Sequence, residues 1–121
     1  MDIETNTSHV DPDIEVVAIS GKMNISGALV LLENSIKGMI AAGARKLAID
    51  LSSLDSIDSS GIGLLVCCTG EIEQVGGQMR IAGAHGPVAR ALNVAHLDRL
   101  TPIDPDLESA CRHLSAGSAV V

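Results

Sequence analysis

The chain contains no Trp, Tyr or Phe among its 121 residues. Its core must therefore be assembled from aliphatic, Ala, Met and Cys side chains, which calls for small, closely packed elements. The same absence removes the ring platforms on which single-stranded nucleic acids stack. Positive charge is also scarce: 8 Lys and Arg stand against 15 Asp and Glu, a formal net charge of −7. Such a chain repels phosphate backbones, so nucleic acid is not an expected partner; the charge suits a basic protein surface, or simply solubility. Cysteine is sparse and odd in number, at Cys67, Cys68 and Cys111. An odd count with an adjacent pair makes a poor disulfide framework, and the three read as small buried apolar residues. No apolar stretch approaches the roughly 18 residues of a membrane span. The opening "MDIETNTSHV" has neither the charged nor the apolar region of a signal peptide. The expected compartment is the cytoplasm.

No internal repeat, low-complexity tract or charge block divides the chain, so residues 1–121 read as one domain with a core over about 14–114. The β-branched run "IEVVAIS" at 14–20 predicts a strand ending at Gly21. Residues 5–10 are a candidate edge strand before it, with Asp11, Pro12 and Asp13 as the turn. Apolar residues then recur at Ile25, Leu29, Leu32, Ile36 and Ile40, which is helical spacing, with Ser26 as N-cap and Gly43 as stop. The short apolar run at 46–51 predicts a buried strand. After "DSSG" a second helix carries the stripe Ile62, Leu65, Val66, Thr69 and Ile72, and Gly76 with Gly77 ends it. Leu64, Cys67 and Cys68 widen its apolar surface, so much of this helix should be buried. Residues 78–83 predict a strand, and Pro87 suits the first turn of a helix with Val88, Ala91, Leu92 and Ala95 inward. A short final strand is expected at 100–103, then a helix striped by Leu107, Ala110, Cys111 and Leu114, with a frayed tail at 115–121. Strands that alternate with helices predict a small α/β domain with a mostly parallel sheet, antiparallel at one edge.

The segment "DSSG", residues 58–61, sits at a strand-to-helix junction. Asp and Ser are favoured N-caps because their oxygens accept the free N–H groups of the first turn, and Gly61 and Gly63 would permit close backbone packing. A serine there is also a candidate phosphoacceptor, since a helix N-terminus tolerates negative charge. One serine can cap while the other accepts phosphate, and spacing alone does not assign them. The nucleophile-elbow pattern G-x-S-x-G fails, because Asp58 and Ile57 stand two residues before Ser60 and Ser59. His85, His96 and His113 offer possible bases, but nothing in the sequence brings them to the serines. Gly21-Lys22 lacks the rest of a phosphate loop, no paired metal-ligand spacing occurs among the histidines and cysteines, and His85 reads as an exposed loop residue.

The order "KLAIDLSSLDSIDSSGIGLLV", then "GGQMRIAG", then "GPVARALNVAHLDRLTPI" resembles the bacterial anti-sigma factor antagonists, which are STAS-domain proteins. The likeness covers about residues 14–114. It implies a single STAS-type domain, a small mixed and mostly parallel β-sheet with about four helices. It also implies no enzymatic activity and no cofactor or metal. Family members bind an anti-sigma factor that is also a serine kinase, and so free a sigma factor and regulate transcription. The kinase phosphorylates the serine after the motif aspartate, the phosphoprotein is released, and a PP2C-type phosphatase resets it. Carried over by position, the phosphoacceptor is Ser59, and the partner-binding set is Asp58, Ser59, Ser60, Gly61, Ile62 and Asn24. Asn24 departs from the family, whose kinase substrates often carry an acidic residue there; it keeps an acceptor oxygen without the charge. The implied assembly state is a monomer or weak dimer. Other STAS domains are scaffolds in stress-signalling complexes or subunits of lipid-transport ABC systems, the alternative reading.

Overall fold

The computed structural model describes residues 3–10 and 13–119. Five strands form one sheet in the order β1-β2-β3-β4-β5: β1 (Ile3–His9), β2 (Ile14–Met23), β3 (Lys46–Ile57), β4 (Gln78–Ala82) and β5 (Ile103–Asp104). Strand β1 pairs antiparallel with β2, and all other pairs are parallel. Four α-helices lie in the crossovers and at the C-terminus: α1 (Gly27–Ala41), α2 (Ser59–Gln74), α3 (Gly86–Val94) and α4 (Leu107–Ala119). This is the mixed, mostly parallel sheet that the alternation of strands and helices predicts, with the four helices that the resemblance implies. Of the expected first turn, Asp13 is described and Asp11 and Pro12 lie outside the described residues.

Side chains alternate across the sheet with period two, which divides the interior into two clusters. Val17, Ile19, Leu47, Ile49, Leu51 and Ile81 face α1, α2 and α3 and join a large aliphatic core. Ile14, Val16, Ala48 and Ala82 face the other way and pack against Ala110, Cys111 and Leu114 of α4. Small alanines on that side suit a single helix seated on the sheet. Without aromatics the core is filled by branched aliphatics, the expected consequence of the composition.

Several boundaries differ from the sequence expectation. Strand β1 starts at Ile3, which is buried, rather than at Thr5, and ends at His9. Strand β2 does not stop at Gly21: that residue has φ 92° and lies at a register irregularity, beyond which Lys22 and Met23 pair with Ser56 and Ile57. Glycine here makes a bulge, not an end. Strand β3 likewise continues past Leu51, because β2 supplies it with a pairing partner. The last strand is displaced: residues 97–99 form a 3₁₀ turn and Leu100 is exposed, so pairing begins only at Ile103. Helix α4 runs to Ala119, so most of the expected frayed tail is helical; Val120 and Val121 lie outside the described residues. No proline interrupts it and alanine favours the helical state.

Candidate functional site at the start of α2

The parallel strands β2 and β3 end side by side, with Met23 opposite Ile57. The next residues of each chain segment are therefore neighbours, although Asn24 and Asp58 are far apart in sequence. Two hydrogen bonds fasten them, and two more cap the helix that follows. The Asp58 N–H donates to the Met23 carbonyl at 3.0 Å. Asp58 Oδ2 accepts the Ile25 N–H at 3.1 Å, and Oδ1 accepts those of Ser60 and Gly61 at 2.9 and 3.0 Å. Asn24, half-buried, is thus held between two residues that both bond Asp58.

The N-cap of α2 is Asp58 and neither serine. One carboxylate satisfies two free donors of the first turn and a third donor from the β2–α1 connection. These bonds hold its carboxyl below the usual carboxylate range, the Gly61 N–H contributing most; partial burial opposes the shift, and the N–H groups of Ile25 and Ser60 reinforce it. Asp58 is therefore ionised at neutral pH. Ser59, the first helical residue, is exposed, while Ser60 is half-buried.

Gly61 is buried and its place is dictated by contact. A Cβ there would meet the Met23 carbonyl oxygen and Ile57 Cγ1, each at 2.6 Å. Only glycine lets α2 begin this close to the end of β2. The expectation that Gly63 serves the same purpose is not met, since nothing lies within 4 Å of a Cβ there.

Around Ser59 the surface is apolar. Ile25 is 81% exposed and Val94, on α3, 72%. A shallow open groove between the start of α2 and α3 is lined by Ile57, Asp58, Ser59, Ile62, Arg90 and Val94, among others. Ile62 is half-buried, and Val66, one turn on, is exposed. Sequence periodicity assigned Ile25 and Val66 to inward stripes. Ile25 instead precedes the Ser26 cap, whose hydroxyl accepts the Leu29 N–H at 3.1 Å, and so lies outside the helix. Helix α2 buries Leu64, Leu65, Cys68, Thr69 and Ile72, which turns Val66 and Cys67 to solvent. Cys67 is thus not the buried apolar residue expected, while Cys68 and Cys111 are. Burial pushes the Cys68 thiol up to about 12, so it is inert at neutral pH. Ala95, expected on the inner face of α3, is exposed too, leaving Val88 and Leu92 as its buried pair. The sequence reading missed Ile25, Arg90 and Val94 as site residues, because only the tertiary approach of α3 to α2 brings them together.

The remaining candidates lie elsewhere. His85 is exposed, as expected, and its Nε2 lies 2.8 Å from the Ser52 carbonyl oxygen, tying the start of α3 to β3. His113 lies on α4 and contacts Asp104. His96 follows α3. Neither residue is among the groove-lining residues. Among the described residues no helix is long and apolar enough to cross a membrane.

The STAS domain model matches residues 7–110. The chain belongs to the STAS domain family. A curated relative from Thermotoga neapolitana, named as an anti-sigma factor antagonist homolog, is 26% identical over 98 residues, covering 81% of this chain and 87% of its own length. The crystal structure of an anti-sigma factor antagonist from Mycobacterium paratuberculosis superposes with a TM-score of 0.83 at 24% identity, covering 93% of this chain and 94% of that one. The phosphorylated form of the Bacillus cell fate determinant SpoIIAA superposes with a TM-score of 0.73 at 21% identity, over 91% and 98% of the two chains. At these identities both structures speak to the fold of this STAS domain.

Proposed function

We propose that this STAS domain is an anti-sigma factor antagonist whose affinity is set by phosphorylation of Ser59. With Ser59 free it binds an anti-sigma factor serine kinase and so frees a sigma factor. Transfer of the γ-phosphoryl group of ATP to Ser59 Oγ, with loss of the hydroxyl proton, releases it, and a PP2C-type phosphatase removes the group. The observation that carries this reading is the division of labour at the helix start. Asp58 does the capping, so the exposed hydroxyl of Ser59 is not needed for the fold and is free to react.

The binding surface in this reading comprises Asp58, Ser59, Ser60, Ile62 and Asn24, with Gly61 beneath them as the residue that lets α2 begin there. Exposed Ile25 and Val94 add apolar area around the serine. A phosphate adds roughly −1.5 to −2 charges in the middle of that area, beside the ionised Asp58. Desolvating it against a partner is costly, and each roughly 1.4 kcal/mol lost is tenfold in affinity. The phosphorylated form of SpoIIAA among the structural relatives supports the chemistry. A cytoplasmic location follows from a partner that uses ATP.

The test is intact-mass analysis after incubation with a candidate anti-sigma factor serine kinase from the same organism and ATP. One added phosphoryl group mapped to Ser59 is expected, with none on Ser59→Ala. Ser59→Asp should bind the kinase at least about tenfold more weakly, and Ser59→Ala should bind and resist release by ATP. Phosphorylation of Ser59→Ala equal to wild type would overturn the assignment. Asn24, without the charge that kinase substrates often carry there, favours a second reading in which the same surface serves a scaffold of a stress-signalling complex or a lipid-transport ABC system. In that case ATP leaves both the mass and the binding unchanged.

A further inference from the structure

Arg90 is the one Lys or Arg among the residues lining the α2–α3 groove with Ser59, and it has no partner of its own. Of the eight Lys and Arg residues, Lys37, Lys46 and Arg80 pair with carboxylates. Arg45 donates to the carbonyls of Ile40 and Ala44, and Arg112 to Ser109. The side chains of Lys22, Arg90 and Arg99 have no hydrogen-bond or ion-pair partner among the described residues, in a chain with 15 acids, and of these three only Arg90 lines the groove of Ser59. It projects from α3 one turn after Pro87 and next to Ala91, both of which line the same groove.

The helix itself offers a phosphate on Ser59 little help. The N–H groups of Ser60 and Gly61 already donate to Asp58, and that ionised carboxylate repels further negative charge. A guanidinium is the group best matched to a phosphate, because its planar fork donates two parallel bonds. We propose that Arg90 is the intramolecular partner of phosphorylated Ser59, closing over the phosphate across the groove. The contact rests on the reading of Ser59 as a phosphoacceptor. It gives release a second component: besides adding charge, phosphorylation draws a long side chain across the apolar wall formed by Ile62 and Val94 and covers part of the docking surface.

The experiment places phosphoserine at position 59 during translation, through a reassigned codon, so that no kinase is needed. The phosphate is then titrated by ³¹P nuclear magnetic resonance in wild type, Arg90→Gln, Arg90→Lys and the control Lys22→Gln. A phosphoserine ionises for the second time near pH 6. The expected midpoint in wild type lies roughly one pH unit below that of Arg90→Gln, as an adjacent cation requires. Arg90→Lys should fall between them and Lys22→Gln should match wild type. Equal midpoints in wild type and Arg90→Gln overturn the contact. So does an Arg90→Gln variant that titrates like wild type but binds the kinase more weakly without phosphate, since Arg90 would then serve the partner directly. Melting curves of the unphosphorylated variants, expected to coincide with wild type, keep a folding defect from imitating either result. Failure of a kinase to label Ser59 would remove the switch and leave this titration unaffected, so the two ideas fail separately.

Discussion

The two faces of the sheet are built on different principles. The face carrying α1, α2 and α3 is held by a large aliphatic cluster in which Ile36, Ile49, Leu65 and Ile72 are wholly buried. The face carrying α4 has a small cluster of Ala, Val, Ile, Leu and Cys, and beside it a buried carboxylate. Asp104 is 4% exposed; it receives Arg80 Nε at 2.6 Å and a second guanidinium nitrogen at 3.1 Å, and His113 Nδ1 lies 2.8 Å away. The candidate switch sits on the aliphatic face, at the start of a helix whose inner side, Leu64, Leu65, Cys68 and Ile72, is buried. A charge added at Ser59 therefore has a rigid platform beneath it. The comparison teaches that a charge added at Ser59 should be felt more at the surface than by the fold, because beyond the Asp58 cap the scaffold under it is apolar.

The largest expected effect tests the platform itself. Leu65→Ala empties a fully buried site in the middle of α2, at an expected cost of about 3–5 kcal/mol by denaturant titration. If it cost under about 1 kcal/mol, the aliphatic face would not be the rigid element described.

On the opposite face the vulnerable group is Asp104. Burial pushes its carboxyl up, but the hydrogen bonds from Arg80 and His113 outweigh this and hold it below the usual range. Replacing it with Ala leaves Arg80 facing a buried, unpaired position. Removing one member of a fully buried pair costs about 3–5 kcal/mol; the Arg80 side chain keeps 20% exposure, which lowers the expectation to about 2–3 kcal/mol. The sign with pH follows from the depressed carboxyl. Its contribution is present above the unfolded value near 3.9 and is lost as pH falls through the lower folded value. Acid unfolding below about pH 4 should therefore be less steep in Asp104→Asn than in wild type. Identical acid profiles would show that this face does not depend on charge as argued.

A third pair of variants joins fold to site. Gly61→Ala drives a Cβ to 2.6 Å from the Met23 carbonyl oxygen, a contact that only movement of α2 can relieve. The expected cost is about 1–3 kcal/mol, with weaker partner binding because the Asp58 cap shifts with the helix. Gly63→Ala meets nothing within 4 Å and exchanges glycine for a better helix former, so it should stabilise by up to about 1 kcal/mol. Equal effects from the two substitutions would refute the close approach.

These glycines also mark what the sequence could express. Local chemistry was legible wherever it decided the outcome. Gly43 ends α1 at φ 116°, Pro87 enters α3, and the apolar spacing of α1 and α4 matches the buried residues. The resemblance points to Ser59, which the structure places exposed at the start of α2 beside the capping Asp58. What escaped the sequence depends on contacts between distant segments. Asp58 and the serines have equal claims to a cap until the Ile25 N–H, 33 residues away, is seen to share the carboxylate. Strands β2 and β3 run past Gly21 and Leu51 because each supplies the other's partner across a bulge. Ile25 and Val66 are apolar at the right spacing, yet Ile25 falls before the Ser26 cap and outside α1, and which side of α2 finds the sheet is settled by where the neighbouring helices lie. Arg90 in the groove is invisible in sequence for the same reason.

The smallest expected effect is a gain, and it asks whether the platform and the switch are separable. Helix α1 ends with Gly43 in positive φ, its N–H donating to the Ile40 carbonyl at 3.1 Å and that of Ala44 to Met39 at 3.0 Å, the double-bonded termination for which glycine is favoured. Helix α3, on the same face, reaches its end with His96 at φ 56°, a left-handed conformation that L residues adopt at a cost. Its N–H donates to the Asn93 carbonyl at 3.0 Å, so the conformation is imposed by the helix end and not by the imidazole. His96→Gly should relieve it and stabilise by about 0.5–1 kcal/mol, read as a small rise in Tm. Since α3 also forms one wall of the Ser59 groove, partner binding of the same variant decides the larger matter. Unchanged affinity beside a raised Tm would mean that the aliphatic face can be tightened without touching the switch. A changed affinity would mean that α3 moves with the partner, and that the groove wall belongs to the switch and not to its platform.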